Sequence, residues 1–270
     1  MLRASTSRDF NASLPADAIA SVRSPSDIFR VAFGSLTAAV LPVEVSGSDV
    51  SGIRMSLTAG VRVSLRASIE GREFSTLPDF EKFRVSLEPR RNQGDGSSRQ
   101  SASLNSNGTG VVENVENGEY RVTVVQLPPD FYLKEARMDN SDVLNGFWKL
   151  NGTPTGVLDV VIGDKPGRVE GTLTDALSKS VPGVQVALIP ENHRHRYELY
   201  KTADTDEKGQ FAFRGVAPGD YRVFSWEALQ PYSWFDPEVL MKYEPQGKLV
   251  HVTEASQQSV DIKLIPAPKE

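Results

Sequence analysis

Hydrophobic and polar positions alternate with a period of two along several short segments of the chain. Val61, Val63 and Leu65 are separated by polar residues, and VQVAL (184–188) and VDIKL (260–264) show the same spacing. Because successive side chains of a β-strand point to opposite faces of its sheet, the pattern places one face on a core and the other in water. Only Pro237 to Tyr243 predicts a short helical turn. The sequence therefore predicts an all-β fold.

Turn sequences separate these predicted strands. NSNG (105–108) and DEKG (206–209) each end in a glycine, which a tight hairpin turn needs where φ is positive. APGD (217–220) is a Pro-Gly turn. Short strands between closely spaced turns are typical of β-sandwiches of about 100 residues.

An internal repeat divides the chain. GVQVALIP (183–190) matches FRVSLEP (83–89), and DEKGQFAFRGVAPGDYRV (206–223) matches NSNGTGVVENVENGEYRV (105–122), each at an offset of 101 positions. The repeat predicts two sandwich modules, residues 59–163 and 164–270.

A partial third copy precedes the two complete ones. LPADAIASVRSPSDI (14–28) is similar to LPPDFYLKEARMDNSDV (127–143). Residues 1–58 are therefore predicted to be a truncated β module, and the chain a part of a longer array.

Composition narrows the classes of function. The 270 residues carry a net charge of −5 without a basic stripe, which argues against a nucleic-acid partner. The absence of cysteine removes disulfides, thiol nucleophiles and cysteine-ligated zinc. The start, MLRASTSRDF, lacks a secretory signal, and no stretch is apolar enough to predict a membrane span.

A family resemblance is carried by GRVEGTLTDALSKSVPGVQVALIP (167–190) and TADTDEKGQFAFRGVAPGDYRVFSW (202–226). These segments resemble the carboxypeptidase regulatory-like domain family, whose sandwiches are related to Cna-B and starch-binding-like modules. The matching positions are Gly167, Val169, Gly171, Val181, Pro182, Gly183, Thr205, Asp206, Gly209, Phe211, Phe213, Val216, Pro218, Gly219, Tyr221 and Val223. The match covers 167–266 and extends more loosely over 60–164, where Asn117 replaces Pro218. The resemblance implies tandem prealbumin-like (Ig-like) antiparallel β-sandwiches.

The same resemblance implies a function without catalysis. Domains of this family serve as accessory modules of bacterial cell-envelope or secreted proteins, and their starch-binding-like relatives suggest carbohydrate as the ligand class. Implied partners are a glycan or other extracellular ligand and neighbouring modules of a longer chain. The alternatives are an inert structural spacer and a regulatory or folding domain of a larger peptidase. An extracellular or envelope location is expected if the full-length protein has a signal peptide.

The candidate ligand site is the aromatic segment YRVFSWEALQPYSWFDPEVLMKY (221–243). Exposed rings of Trp226, Tyr232 and Trp234 would stack on sugar rings, and carboxylates of Glu227 and Asp236 would accept hydrogen bonds from sugar hydroxyls. The alternative is a structural role in which the segment caps one end of the sandwich.

Two further segments contain residues of the types that bind metal ions. His193 and His195 share a face if they lie on a strand, where His251 or Glu191 would complete a metal site; the alternative is a solvated hairpin tip. Asp204, Asp206 and Gly209 have a calcium-like spacing, but Lys208 stands where an oxygen ligand is needed, so a hairpin turn is favoured. We predict no catalytic residue, no metal site and no cofactor, and therefore not an enzyme.

Overall fold

The computed structural model describes residues 60–90 and 99–267, together with the backbone of three earlier strands. These are β1 (Ile19–Ser21), β2 (Ile28–Phe33) and β3 (Thr37–Pro42), which form an antiparallel sheet in the order β1-β2-β3. The rest of the predicted truncated module, residues 1–58, lies outside the described residues.

Strands dominate the described chain, which confirms the predicted all-β class. The first repeat contains β4 (Val61–Ile69), β5 (Arg84–Pro89), β6 (Gln100–Ser103), β7 (Thr109–Val115), β8 (Gly118–Val125), β9 (Tyr132–Met138), β10 (Ser141–Asp142), β11 (Trp148–Leu150) and β12 (Leu158–Gly163). The second contains β13 (Gly167–Thr174), β14 (Gln185–Pro190), β15 (Lys201–Asp204), β16 (Gln210–Val216), β17 (Gly219–Ser225), β18 (Lys248–Val252), β19 (Gln257–Ser259) and β20 (Ile262–Lys263).

Helical segments are short. The predicted helical turn is confirmed as α1 (Pro237–Met241). Single 3₁₀ turns occupy Phe74–Thr76, Phe80–Lys82, Tyr197–Leu199, Ser233–Phe235 and Glu244–Gln246. Within the described ranges, no helix has the length and apolar character needed to cross a membrane.

The strands of each repeat form two sheets. In the first repeat the orders are β10-β9-β12-β4-β7 and β11-β8-β5-β6; in the second they are β16-β13-β19 and β15-β14-β17-β18, with β20 also on β13. β13 pairs in parallel with β19 and β20, unlike its antiparallel pairing with β16. A Cβ on Gly171 would lie 1.8 Å from the carbonyl oxygen of Val260, so this close approach requires glycine.

The two repeats share their internal geometry. Tyr120 and Tyr221 are both buried, and their hydroxyls donate to the carbonyl oxygens of Glu116 and Ala217 at 2.9 and 2.8 Å. The turn glycines Gly108 and Gly209, equivalent in the alignment, have φ of 78° and 75°. The sequence repeat is therefore a structural repeat. The module limits 59–163 and 164–270 stay a prediction, because shared geometry does not define where a module folds independently.

Contacts divide the chain into two compact units. Within the described residues, the first consists of 60–66, 80–90, 99–125 and 137–159, and the second of 67–79, 126–136 and 160–267. In the first unit, Val85 and Leu87 of β5 and Val122 of β8 are buried. In the second, the core draws on both sheets through Val169, Val186, Leu188, Phe211, Phe213, Tyr221 and Val223.

One sheet of the second unit is buried on both faces. Val186 and Leu188 of β14 belong to the core, whereas Ala187 and Ile189 belong to a separate apolar cluster with Phe224. The prediction of one face in water is confirmed for β16, where alternate residues are exposed. It is wrong for β14, where five consecutive residues are buried. The cause is a cover supplied by residues 226–240 and Ile265.

Candidate functional site

The two predicted tryptophans lie inside this cover. Trp226 stacks on Phe224 at a centroid distance of 5.0 Å and on Trp234 at 5.8 Å, with interplanar angles of 9° and 4°. Trp226 is 9% and Trp234 4% exposed. Because both rings are enclosed by the stack and by neighbouring side chains, neither presents a free face to a sugar.

The predicted carboxylates bind backbone N–H groups. Glu227 accepts from the amide of Ala267 at 3.0 Å. Asp236 precedes α1, has Pro237 in the first helical turn, and accepts from the amide of Glu238 at 2.9 Å. The Asp236 side chain is therefore an N-cap, which satisfies a helix amide that otherwise lacks a partner. Both carboxylates remain exposed to solvent.

Tyr232 occupies a different environment from the two tryptophans. Its side chain is 69% exposed, and its φ of 70° lies in the left-handed region. The residue ends the loop that follows Trp226 and caps the 3₁₀ turn Ser233–Phe235. That turn directs Trp234 inward and leaves Phe235 37% exposed.

Tyr197 joins Tyr232 and Phe235 at the surface. Tyr197 is 55% exposed; its ring lies 5.3 Å from that of Phe235 at an interplanar angle of 82°. Tyr232 and Phe235 are nearly parallel, at 6.2 Å and 6°. We call these three residues the surface ring set. Tyr200 lies 4.7 Å from Phe235 at its inner side, and burial raises the pKa of its phenol to about 12.

The site prediction included Tyr232 but not Tyr197 or Phe235. Phe235 lies within the aromatic segment, whereas Tyr197 belongs to the polar run ENHRHRYELY (191–200), interpreted above as a hairpin tip. A usable signal was present, since an aromatic ring within so polar a loop is unusual. Tyr197 and Phe235 come together only because two loops fold against each other, and the hydrophobic periodicity of the sequence does not predict such a contact. Ligand binding by Trp226, Tyr232, Trp234, Glu227 and Asp236 stays a prediction.

Ion pairs join the loop that carries Tyr197 to β17 and to the 3₁₀ turn that follows α1. Arg222 of β17 donates two hydrogen bonds to the carboxylate of Glu191, at 2.9 and 2.8 Å, and a third to the carbonyl of Glu244 at 2.6 Å. Arg194 donates to the Glu244 carboxylate at 2.7 Å. The Arg222 hydrogen bond lowers the pKa of Glu191. Bidentate guanidinium–carboxylate pairs impose geometry as well as charge, so this frame restrains the loop that carries Tyr197.

The candidate metal histidines lie in a loop and on β18, and Asp206 lies in a turn. His193 and His195 fall in a loop rather than on a strand, with ring centroids 6.1 Å apart, and His251 contacts Asp220 at 2.7 Å. Asp206 accepts from the amides of Lys208 and Gln210, as expected for the predicted hairpin turn. In the part of the chain that the structure describes, no group of three or more His, Cys, Asp or Glu is placed to hold a metal ion.

Comparisons with known proteins give structural neighbours alone. No protein-family model and no curated protein matches the sequence. Among solved structures, the chain is similar to the minor pilin GBS52 of Streptococcus agalactiae, with 14% identity, 78% of this chain and 99% of that chain covered, and a TM-score of 0.35. A streptococcal ancillary pilin gives 14% identity, coverages of 89% and 76%, and a TM-score of 0.30.

A third neighbour is a candidate carbohydrate-binding protein of Pseudomonas aeruginosa, with 19% identity, 37% of this chain and 88% of that chain covered, and a TM-score of 0.25. At these identities and scores, function has to be argued from the geometry of this chain. The resemblance to carboxypeptidase regulatory-like domains stays a prediction from its motifs.

Proposed function

We propose that the chain is a non-catalytic accessory module array of a bacterial cell-envelope or secreted protein, and that its ligand class is carbohydrate. The observation that carries the proposal is the surface ring set, three aromatic residues grouped at the surface of the second unit. Exposed aromatic residues grouped on a soluble domain mark interaction sites.

The roles of the candidate carboxylates support a function without catalysis. Asp206, Glu227 and Asp236 each accept hydrogen bonds from backbone amides, in a turn, beside a strand end and at a helix cap. General acid–base catalysis needs a carboxyl group directed at a reacting atom within a substrate site. These three side chains instead stabilise local backbone structure.

The repeated architecture supports a place in a longer extracellular array. The sheet order β11-β8-β5-β6 of the first repeat corresponds to β18-β17-β14-β15 of the second, and each contains an equivalent buried tyrosine. The second repeat carries the motifs of the accessory-domain family most completely. Neighbouring modules of a longer chain are the second class of partner that we propose.

A glycan array tests the ligand class. The full chain would be applied to neutral, amino-sugar and acidic glycans, and bound glycans would be checked for newly formed reducing ends. We expect saturable binding to some of these glycans and no hydrolysis. Release of reducing ends would contradict the non-catalytic function, and failure to bind any glycan would contradict the carbohydrate ligand.

The second candidate is an inert spacer, which the burial of Trp226 and Trp234 favours. In that function the aromatic segment only covers the outer face of β14 and β17. The spacer predicts no glycan binding, and it predicts that substitutions in the surface ring set change no measurable property of the folded chain.

A further inference from the structure

The backbone at Tyr232 has an unfavourable conformation although its side chain is mostly exposed. Its φ of 70° lies where side chains with a Cβ are disfavoured, and bulky residues are found there less often than glycine or asparagine. The Tyr232 ring lies 5.7 Å from that of the buried Trp234, but the side chain is still 69% exposed, so burial offsets only part of this strain. Strained residues that the core does not require tend to lie at functional sites. The position therefore indicates a role for the ring in solution.

The three rings form one continuous aromatic surface. Phe235 contacts Tyr197 edge to face at 5.3 Å and lies parallel to Tyr232 at 6.2 Å. Both separations fall within the range of interacting aromatic pairs. The outward surfaces of the rings are the part that a ligand in solution can reach.

Hydrogen-bond acceptors border this surface. The exposed residue Glu198 follows Tyr197 in the chain, and the exposed Asp236 follows Phe235. Glu198 accepts a hydrogen bond from Arg196 at 2.7 Å, and Asp236 accepts one from a backbone amide. Because a carboxylate has further lone pairs, both side chains can also accept hydrogen bonds from sugar hydroxyls. Carboxylates repel an anionic ligand, so their position discriminates by charge.

We propose that the surface ring set is a binding site for neutral saccharides. The C–H face of a pyranose ring lies on Tyr232 and Phe235, Tyr197 limits it at one side, and hydroxyls donate to Glu198 and Asp236. This inference rests on the proposed carbohydrate function, and it moves the site from the buried tryptophans to the exposed rings. The frame of Arg222, Glu191, Arg194 and Glu244 restrains the loop that carries Tyr197, which lowers the entropic cost of ordering that loop on binding.

Calorimetric titration of the full chain tests the proposal. The probes are maltohexaose, cellohexaose and chitohexaose as neutral ligands and hexagalacturonate as the anionic one. We expect at least one neutral probe to bind at least tenfold more tightly than hexagalacturonate. Tyr232→Asn and Phe235→Ser should each weaken that binding about tenfold, as expected for the loss of one stacking contact.

Tyr232→Asn also separates binding from folding. Asparagine tolerates positive φ better than tyrosine, so the unfolding midpoint of this variant should be equal to or higher than that of the parent while binding is lost. The matched control is Leu249→Ser, which removes a side chain that is 58% exposed and lies on β18, outside the surface ring set. It should leave binding unchanged.

The outcomes distinguish the site from the function. Undiminished binding by Tyr232→Asn and Phe235→Ser would overturn this site and leave the proposed carbohydrate function standing. Failure of the parent chain to bind any of these probes would overturn the site; failure on the wider glycan array as well would overturn the ligand class. Tighter binding of hexagalacturonate than of the neutral probes would overturn the assignment to neutral saccharides.

Discussion

Two tyrosines show how single hydroxyl groups stabilise the repeated fold. Tyr120 and Tyr221 are almost fully buried, and each donates to a carbonyl four residues earlier in the chain. Burial raises the pKa of Tyr221, so its phenol stays protonated and remains a donor at high pH. The corner between β16 and β17, and its counterpart between β7 and β8, are each closed by this bond.

Replacing Tyr221 with phenylalanine should destabilise the chain by about 1–2 kcal/mol, because the Ala217 carbonyl loses its donor in a buried place. Tyr120→Phe should have an effect of similar size, since the repeat conserves the bond. Urea unfolding measures both, and Tyr197→Phe, at an exposed ring, is the control. Equal stability of Tyr221→Phe and the control would show that the hydroxyl is dispensable.

Glu191 should contribute a stability that depends on pH. Its pKa in the folded chain is lowered, first by the hydrogen bond from Arg222, so the folded state favours the ionised carboxylate. The contribution is fully present above the unfolded pKa of about 4.5 and is lost as the pH falls through the lower folded value. Glu191→Gln should therefore be less stable than the parent at pH 7 and approach it as the pH falls below about 4.

Urea midpoints recorded from pH 7 to pH 3 test this linkage. Glu207→Gln, at an exposed turn position, is the matched control for removing one carboxylate. If the urea midpoints of Glu191→Gln and the parent differ by a constant amount from pH 7 to pH 3, the ion pair with Arg222 is not the source of the lost stability.

At the scale of elements, the aromatic segment is chiefly a cover for β14 and β17. Phe224, Trp226 and Trp234 form a continuous stack, and Leu240 of α1 is buried in the same cluster. The cover removes water from a sheet face that would otherwise be exposed. The sequence-based alternative of a structural segment thus accounts for the tryptophans but not for the exposed rings of the surface ring set.

Trp234→Ala should destabilise the second unit by about 3–5 kcal/mol, because it removes a large ring from an enclosed stack. Phe235→Ala, one residue further but partly exposed, should have a clearly smaller effect. Chemical unfolding measures the loss of stability in each variant, and near-ultraviolet circular dichroism reports the environment of Trp226. Similar losses of stability for both variants would mean that the stacked rings do not stabilise the cover.

Strand positions were predictable where a strand is buried on one face. β16 follows its alternating pattern, with Phe211 and Phe213 inward and Ala212 outward. β14 has a nearly continuous apolar sequence, from which the second covered face was not inferred because the covering residues lie about 40 positions later. The candidate site divides in the same way: local sequence located an aromatic segment, but only folding decides that Trp234 is buried and that Tyr197 arrives from another loop.

At the scale of the whole molecule, the second compact unit includes segments that precede residue 164. The ring of Tyr132 is 6% exposed and belongs to its hydrophobic core together with Val169 and Val252. The Tyr132 hydroxyl donates to Glu254 at 3.2 Å, and burial raises the pKa of the phenol to about 12. Lys134 donates to Glu254 at 2.6 Å from the same strand. The repeat in sequence and the unit in space therefore have different limits.

Tyr132→Ala in the full chain should destabilise the second unit by about 3–5 kcal/mol, since it opens a cavity in the core. Lys134→Ala, which removes two partly exposed ion pairs, with Glu70 and Glu254, should lower stability by no more than about 1 kcal/mol. Fluorescence of Trp226 and Trp234 follows unfolding of this unit, because both lie within it. Equally small losses for the two variants would show that Tyr132 adds little to that core, in which case residues 164–270 would suffice as the folding module that the repeat predicts.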